Sequence, residues 1–260
     1  MIVVLDEMLW LLQFAIGACV FSFLNVVIYR LPRKENIFRG RSHCRSCGRT
    51  LTAGELIPIV SYLKQKKRCR GCGGRIPGRY CKMEFMGGLA FVCCGAAFGR
   101  GAWGLISLRG LVAFTYLGIL AVVAFIDWDI RMIYDRFHIC IMLLGAAAIL
   151  FFPEHPVADR VLGMAVVAFP MFLLALGVEG SFGGGDIKLM AASGFLLGWQ
   201  SIVFAMLLGL AAGSVYSIGM MAAGKLTRKN HIALGPFLAI GLAAALFFGD
   251  AAVAWYLSLL

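Results

Sequence analysis

Two aspartates stand where a carboxylate has unusual surroundings. Asp127 ends an apolar run in Ala124-Phe125-Ile126-Asp127-Trp128-Asp129, and Asp186 opens another in Gly183-Gly184-Gly185-Asp186-Ile187-Lys188. Two carboxylates in a poorly solvated cleft resist ionising together, so one pKa rises and the pair shares a proton. One acid then takes a proton from water while the other protonates the scissile carbonyl or the leaving amine. Such a pair hydrolyses an amide with neither metal nor covalent intermediate. Glycine admits close approach of another chain, so the run around Gly183 and Gly185 suits a peptide held against Asp186. Acids at helix ends are also commonly solvated, and glycines also serve helix packing in membranes, so spacing alone leaves both readings open. Lys188 is placed either to tune Asp186 or to meet a lipid headgroup. His43, His138, His155 and His231 are scattered, and the chain has neither an H-E-x-x-H helix nor a phosphate-cradling G-x-x-x-x-G-K-[ST] loop.

A second constellation is built from cysteine. Cys44-Arg45-Ser46-Cys47 and Cys69-Arg70-Gly71-Cys72 are Cys-x-x-Cys pairs flanked by Gly48, Gly73 and Gly74. Two glycine-bearing knuckles some twenty residues apart have the spacing of a four-cysteine zinc ribbon. In a reducing compartment zinc explains the pairs better than disulfides do. A ribbon of this kind holds a segment together and does no chemistry. The other cysteines (Cys19, Cys81, Cys93, Cys94, Cys140) lie in or beside apolar runs, where packing is their usual role.

The elements that must position these residues are membrane helices. The chain of 260 residues is 61% hydrophobic and 14% charged, against about 25% charged for a soluble domain. Apolar runs fall at about 8–29, 83–99, 105–126, 137–152, 158–178, 186–199, 200–223 and 232–258, which predicts an all-α polytopic membrane protein of about eight transmembrane helices. The expected divisions are 1–29, a first span; 30–82, a basic cysteine-rich insert; and 83–260, a bundle carrying the aspartates. Of 24 Lys and Arg, 15 lie between Arg30 and Lys82. Arg131, Arg136, Lys188, Lys225, Arg228 and Lys229 share that face, whereas Arg100, Arg109 and Arg160 lie opposite. The positive-inside rule then puts the insert in the cytoplasm and both termini outside. Two spans separate Asp127 from Asp186, so both acids come to the cytoplasmic face. Asp6 and Glu7 precede the first span with no basic residue, unlike a cleavable signal peptide. Orientation and anionic headgroups account for the net charge of +11, which removes the main argument for nucleic acid.

In this order, the motifs resemble the type IV prepilin peptidases, bifunctional leader peptidases and N-methyltransferases of the G-x-G-D aspartic class. The similarity runs from Ser22-Phe23-Leu24-Asn25 through Tyr29-Arg30-Leu31-Pro32, the double cysteine insert, Glu55-Leu56-Ile57-Pro58, Ser61-Tyr62-Leu63 and Gly78-Arg79-Tyr80 with Glu84. Ile126-Asp127 with Asp135, then Gly183 to Leu189, complete it. Phe21 stands where the family usually has glycine; Arg45 and Cys81 stand where it usually has proline. The resemblance implies Asp127 and Asp186 as the catalytic pair, with Asp129 and Asp135 as rivals for the first position. It implies a prepilin or pseudopilin substrate whose basic leader is removed after a glycine at the cytoplasmic membrane surface. It also implies methylation of the new amino terminus by S-adenosylmethionine.

The methyl donor is expected where the insert meets the bundle, near Glu84, whose carboxylate would attract a sulfonium or help deprotonate the amine; its alternative is pairing with Arg79 or Lys82. Ser22 and Asn25 share a face suited to bonding another helix, Gly177, Gly209 and Gly213 suit helix packing, and Glu179 suits a basic leader. Two other classes of function compete. A proton-coupled transporter also uses intramembrane acids, but no internal repeat is visible. A zinc-ribbon scaffold without chemistry leaves the glycine-aspartate run unexplained.

Overall fold

A computed structural model describes residues 2–99, 107–152, 155–178, 180–225 and 232–259. Arg100, Glu179, Arg228, Lys229 and His231, named above, lie outside the described residues. Among the described residues the chain is helical, with only two isolated β-bridges. The α-helices are α1 (Ile2–Arg30), α2 (Val60–Lys64), α3 (Arg79–Phe98), α4 (Leu108–Ile130), α5 (Asp135–Phe151), α6 (Val157–Val166), α7 (Ala168–Gly177), α8 (Gly184–Leu197), α9 (Trp199–Ala222) and α10 (Gly235–Leu257). Each of the eight apolar runs forms helix, and the fifth is divided between α6 and α7. Among the described residues, six stretches are long and apolar enough to cross a membrane, where the sequence suggested eight. The two that fall short are α5, with 17 residues, and α8, with 14. At about 1.5 Å per residue they rise about 26 and 21 Å, below the ~30 Å of a bilayer's hydrocarbon core.

The chain divides into two compact units, Met1–Phe114 and Thr115–Leu260. In the first, α1 and α3 lie side by side at a separation set by small residues. A Cβ on Gly17 would collide with the Gly87 carbonyl, the Phe21 ring covers Gly87, and the Phe14 ring covers Gly88. Phe21 is 2% exposed and also packs on Phe114 at 5.7 Å between ring centres. Close packing therefore survives at Phe21, because here α3 supplies the small residue and α1 the large one. At the end of α1 the buried Arg30 donates to the carbonyls of Asn36, Arg39, Gly40 and Arg41, which folds the following loop back onto the helix.

In the second unit α5 and α8 pack side by side and run the same way. Their starts are joined by Lys188 and Asp135 (2.7 Å), and further along Gly145 of α5 meets Phe195 of α8. Their far ends share one cation. Arg160 is fully buried and donates to the carbonyls of Leu196 (2.9 Å) and Phe195 (3.4 Å), of Phe152 (3.0 Å) and Ala148 (3.3 Å), and of His155 (3.2 Å). Helix C-termini carry partial negative charge and unpaired carbonyls, so one guanidinium satisfies both. From sequence Arg160 reads as an outer-face charge; in the structure its side chain is an internal bolt. Between α9 and α10, Gly209 admits the Phe237 and Leu238 backbone, and Gly213 admits the Phe237 ring. Nothing lies within 4 Å of a Cβ on Gly177, so packing explains only two of those three glycines.

Candidate active site

Asp127 lies in the last turn of α4 with 6% of its surface exposed. Its Oδ2 accepts the backbone N–H of Gly235, the first residue of α10, at 3.0 Å. A Cβ on Gly235 would stand 2.7 Å from that oxygen, so α10 can begin against the carboxylate only with glycine there. Four residues on, the Arg131 N–H caps the Asp127 carbonyl at 2.8 Å, and Arg131 takes φ +55, which ends α4 just past the acid.

Asp186 is the third residue of α8. Gly183 is the extended N-cap, and its carbonyl accepts the N–H of Asp186 (3.0 Å) and of Ile187 (3.2 Å). The Asp186 Oδ1 is buried with no hydrogen-bond partner. A Cβ on Gly183 would be 3.0 Å from Asp186 Oδ2, and one on Gly185 would be 3.0 Å from Ile133 Cβ. Glycine is thus what fits at both places, while Gly184 has open space around it. Asp127 lies close enough for its charge to act on Asp186. The two acids that the sequence separates by 59 positions therefore share one neighbourhood.

Their rivals differ. Asp129 is exposed, and Asp135 is exposed and held by Lys188. Lys188 thus takes Asp135 as its partner rather than Asp186. His138 was not singled out from sequence, yet it is buried with Nδ1 3.4 Å from Asp135 Oδ1. The readable signal was its i, i+3 spacing from Asp135 at the start of a helix.

In the insert, the two cysteine pairs fold as equivalent knuckles. The Cys44 N–H donates to the Arg49 carbonyl and the Gly48 N–H to the Cys44 carbonyl; Cys69 with Gly74, and Gly73 with Cys69, repeat this, all at 2.9 Å. Gly48 and Gly73 take φ +71 and +69, the left-handed conformation in which glycine carries no penalty. Each knuckle closes in one antiparallel bridge, His43 with Thr50 and Arg68 with Arg75. The four Sγ atoms lie within 4.8 Å of one another, with Cys44 and Cys72 at 3.9 Å. Four sulfurs around a zinc at ~2.3 Å stand about 3.8 Å apart, so this donor set fits the ion. Two of the thiols already lean towards it. The N–H groups of Cys72 and Gly71 pull the Cys69 thiol down to about 6, and those of Cys47 and Ser46 lower Cys44. Against the Gly74 N–H, which lowers it, the neighbouring Cys47 and burial push Cys72 up to about 11. Four crowded thiols resist ionising together, and a divalent cation relieves that.

Glu84, in α3, pairs with neither Arg79 nor Lys82. Its Oε1 accepts the Ser22 hydroxyl at 2.8 Å, and its Oε2 accepts the Ile59 N–H at 2.7 Å. Ser22 thus bonds another helix, as its place on α1 suggested. Ile59 holds φ +62, a conformation unusual for a β-branched residue. The carboxylate therefore fixes both a helix pair and a strained turn of the insert.

The chain is similar to known proteins along most of its length. Residues 15–98 match the model of the bacterial peptidase A24 N-terminal domain, and residues 114–218 match that of the type IV leader peptidase family. The chain is similar to proteins named prepilin leader peptidase/N-methyltransferase in several bacteria. It is 32% identical to that of Bacillus subtilis (strain 168) over 246 residues, covering 95% of this chain and 97% of the relative. It is 33% identical to that of Aeromonas salmonicida (strain A449), covering 95% and 93%, and 31% identical to that of Burkholderia pseudomallei (strain 1026b), covering 92% and 85%. No solved structure matches.

Proposed function

Because this chain belongs to the type IV leader peptidase family, we propose that it is a multi-pass membrane enzyme that cleaves prepilins or pseudopilins and methylates the new amino terminus. Asp127 and Asp186 are the acids of the cleavage step. With one proton between them, the ionised acid takes a proton from water, whose oxygen attacks the scissile carbonyl carbon. The protonated acid donates to the carbonyl oxygen, and collapse of the tetrahedral centre breaks the C–N bond as the amine takes up a proton. The observation that supports this most is the pairing of a buried, Gly235-anchored Asp127 with an Asp186 whose Oδ1 is buried and unpartnered. Gly183 keeps a side chain out of the space beside Asp186, where substrate backbone would lie, and Gly185 lets Ile133 pack closely against the start of α8. Lys188 acts on the site through Asp135, which it holds at the start of α5.

Cys44, Cys47, Cys69 and Cys72 would hold one structural zinc that keeps the two knuckles in register. Membership of the family favours the bacterial inner membrane, and the distribution of basic residues favours an orientation with the insert and both acids on the cytoplasmic side and both termini outside. S-adenosylmethionine is the methyl donor in this reading, with Glu84 the acid nearest its place. Cleavage of a prepilin by the purified protein, lost in Asp186→Asn, tests the proposal. Proton-coupled solute uptake by reconstituted protein that leaves prepilin intact would replace it with a transporter.

A further inference from the structure

The insert presents an apolar face to its surroundings. Ile57, Val60 and Leu63 follow one another at three-residue spacing through α2 and the turn that opens it, and each is at least half exposed. Ser61, Tyr62 and Gln65 lie on the other side, where they line the space between the insert and the helices α1 and α3. The segment is thus amphipathic, with its apolar face outward. Such a face in a folded protein marks a surface that meets a partner or a membrane.

The depth of the turn decides between them. The Ile59 N–H donates to Glu84 of α3, whose other oxygen accepts the Ser22 hydroxyl of α1. Ser22 stands eight residues before Arg30, the end of α1, and Glu84 five residues after Arg79, the start of α3. At about 1.5 Å per residue, the turn is held roughly 12 Å inside one helix end and roughly 8 Å inside the other. Both helices belong to stretches long and apolar enough to cross a membrane. Beside Glu84, Phe85, Met86 and Leu89 carry exposed apolar surface along α3 at the same level. The backbone of the turn is equipped to leave water. Pro58 has no N–H, Ile59 bonds to Glu84, and Ser61 and Leu63 donate to the carbonyls of Ile57 (3.0 Å) and Ile59 (3.1 Å). The charge has one sign, because no Asp or Glu occurs between Leu56 and Met83. Lys64, Lys66 and Lys67 stand exposed just beyond the apolar face.

We propose that residues 56–67 are an interfacial anchor: Ile57, Val60 and Leu63 enter the headgroup–acyl boundary of the bilayer, and Lys64, Lys66 and Lys67 hold anionic lipid headgroups. Amphipathic segments of this kind sink about 5–10 Å into that boundary, in line with the depth set by Ser22 and Glu84. A second copy of the chain fits less well, since the same face would meet its own lysines. The strained Ile59 also has a place in this reading. Its conformation persists because Glu84 fixes its backbone from one side and lipid covers its neighbours on the other. Cys69 follows Lys67 by two residues, so the anchor keeps the cysteine knuckles at the membrane surface.

Full-length protein in lipid nanodiscs, one copy per disc, tests this with two probes. A phospholipid with a photoactivatable acyl chain should label residues 56–63 as it labels α1 and α3. Hydrogen exchange at residues 57–67 should be slower by roughly tenfold or more in discs rich in phosphatidylglycerol than in discs of phosphatidylcholine. Combining Lys64→Gln, Lys66→Gln and Lys67→Gln should abolish that difference, while wild-type exchange at residues 44–50 and 69–75 shows that the variant's insert is folded. Labelling of α1 and α3 with none at residues 56–63 overturns the anchor, as does equal exchange of wild-type protein in the two lipids. Protection that arises only in discs holding two copies also overturns it, because a second chain and not lipid would then cover the face.

Discussion

Glu84 shows what a single residue can and cannot reveal in sequence. An acid at the start of an apolar run needs partners, but its chain neighbours Arg79 and Lys82 are not they. Its partners are Ser22, 62 positions back, and the Ile59 backbone, and no local pattern discloses contacts that distant. Ser22 was legible as a helix-bonding residue because serine on an apolar helix needs an acceptor. In Glu84→Gln one carboxylate oxygen becomes an NH2 group, so either Ser22 must turn or the Ile59 N–H loses its acceptor, at about 1–3 kcal/mol. Methylation of a pre-cleaved pilin peptide should weaken in Glu84→Gln and persist in Asp186→Asn. Ser22→Ala should lower the midpoint of thermal unfolding less than Glu84→Gln does. Equal methylation by the Glu84 variant and wild type would remove the acid from the donor's surroundings.

Among the elements, the cysteine insert was the most readable, since Cys-x-x-Cys beside glycine states both the ligands and the turn that aims them. Metal analysis should find about one zinc per chain, and Cys44→Ser or Cys72→Ser should release it more readily to a chelator. Stoichiometric disulfides in protein kept reduced would contradict this. The clamp beside the knuckles was not readable. Glu55 accepts from the Thr52 N–H (2.9 Å) and from Arg49 (2.6 Å), and these hold its carboxyl down at about 2. A folded pKa below the usual 4.5 gives stability that is present above pH ~4.5 and lost as pH falls towards about 2. Hydrogen exchange at residues 49–56 should therefore be faster in Glu55→Gln than in wild type at pH 7, and the difference should close in acid. A difference that is the same at pH 7 and pH 3 would rule out the ionised clamp. The short helices α5 and α8 were legible as apolar runs. That they lie parallel and share Arg160 was not, because one buried arginine looks in sequence like any loop charge.

For the molecule as a whole, composition and the spread of basic residues carried most of what sequence could say: a helical membrane protein with a basic insert after its first span. The number of true spans was less legible, because a run of 14 to 17 apolar residues reads alike as a short span or a helix buried among others. The proposed orientation predicts that a cysteine placed at either terminus labels from outside intact cells, and that one placed at the exposed Glu35 labels only after permeabilisation. Labelling at position 35 from outside would invert the topology and take the acids away from a cytoplasmic leader.

The central claim is that one proton shared by Asp127 and Asp186 drives cleavage, and asparagine scanning tests it most directly. Purified Asp127→Asn, Asp129→Asn, Asp135→Asn and Asp186→Asn proteins, inserted and expressed as wild type, would be assayed for prepilin cleavage under single-turnover conditions. The account predicts no cleavage by the Asp127 and Asp186 variants and measurable cleavage by the other two, whose carboxylates are exposed. Wild-type cleavage by Asp127→Asn or Asp186→Asn, with the activity lost instead in Asp129→Asn or Asp135→Asn, would contradict it.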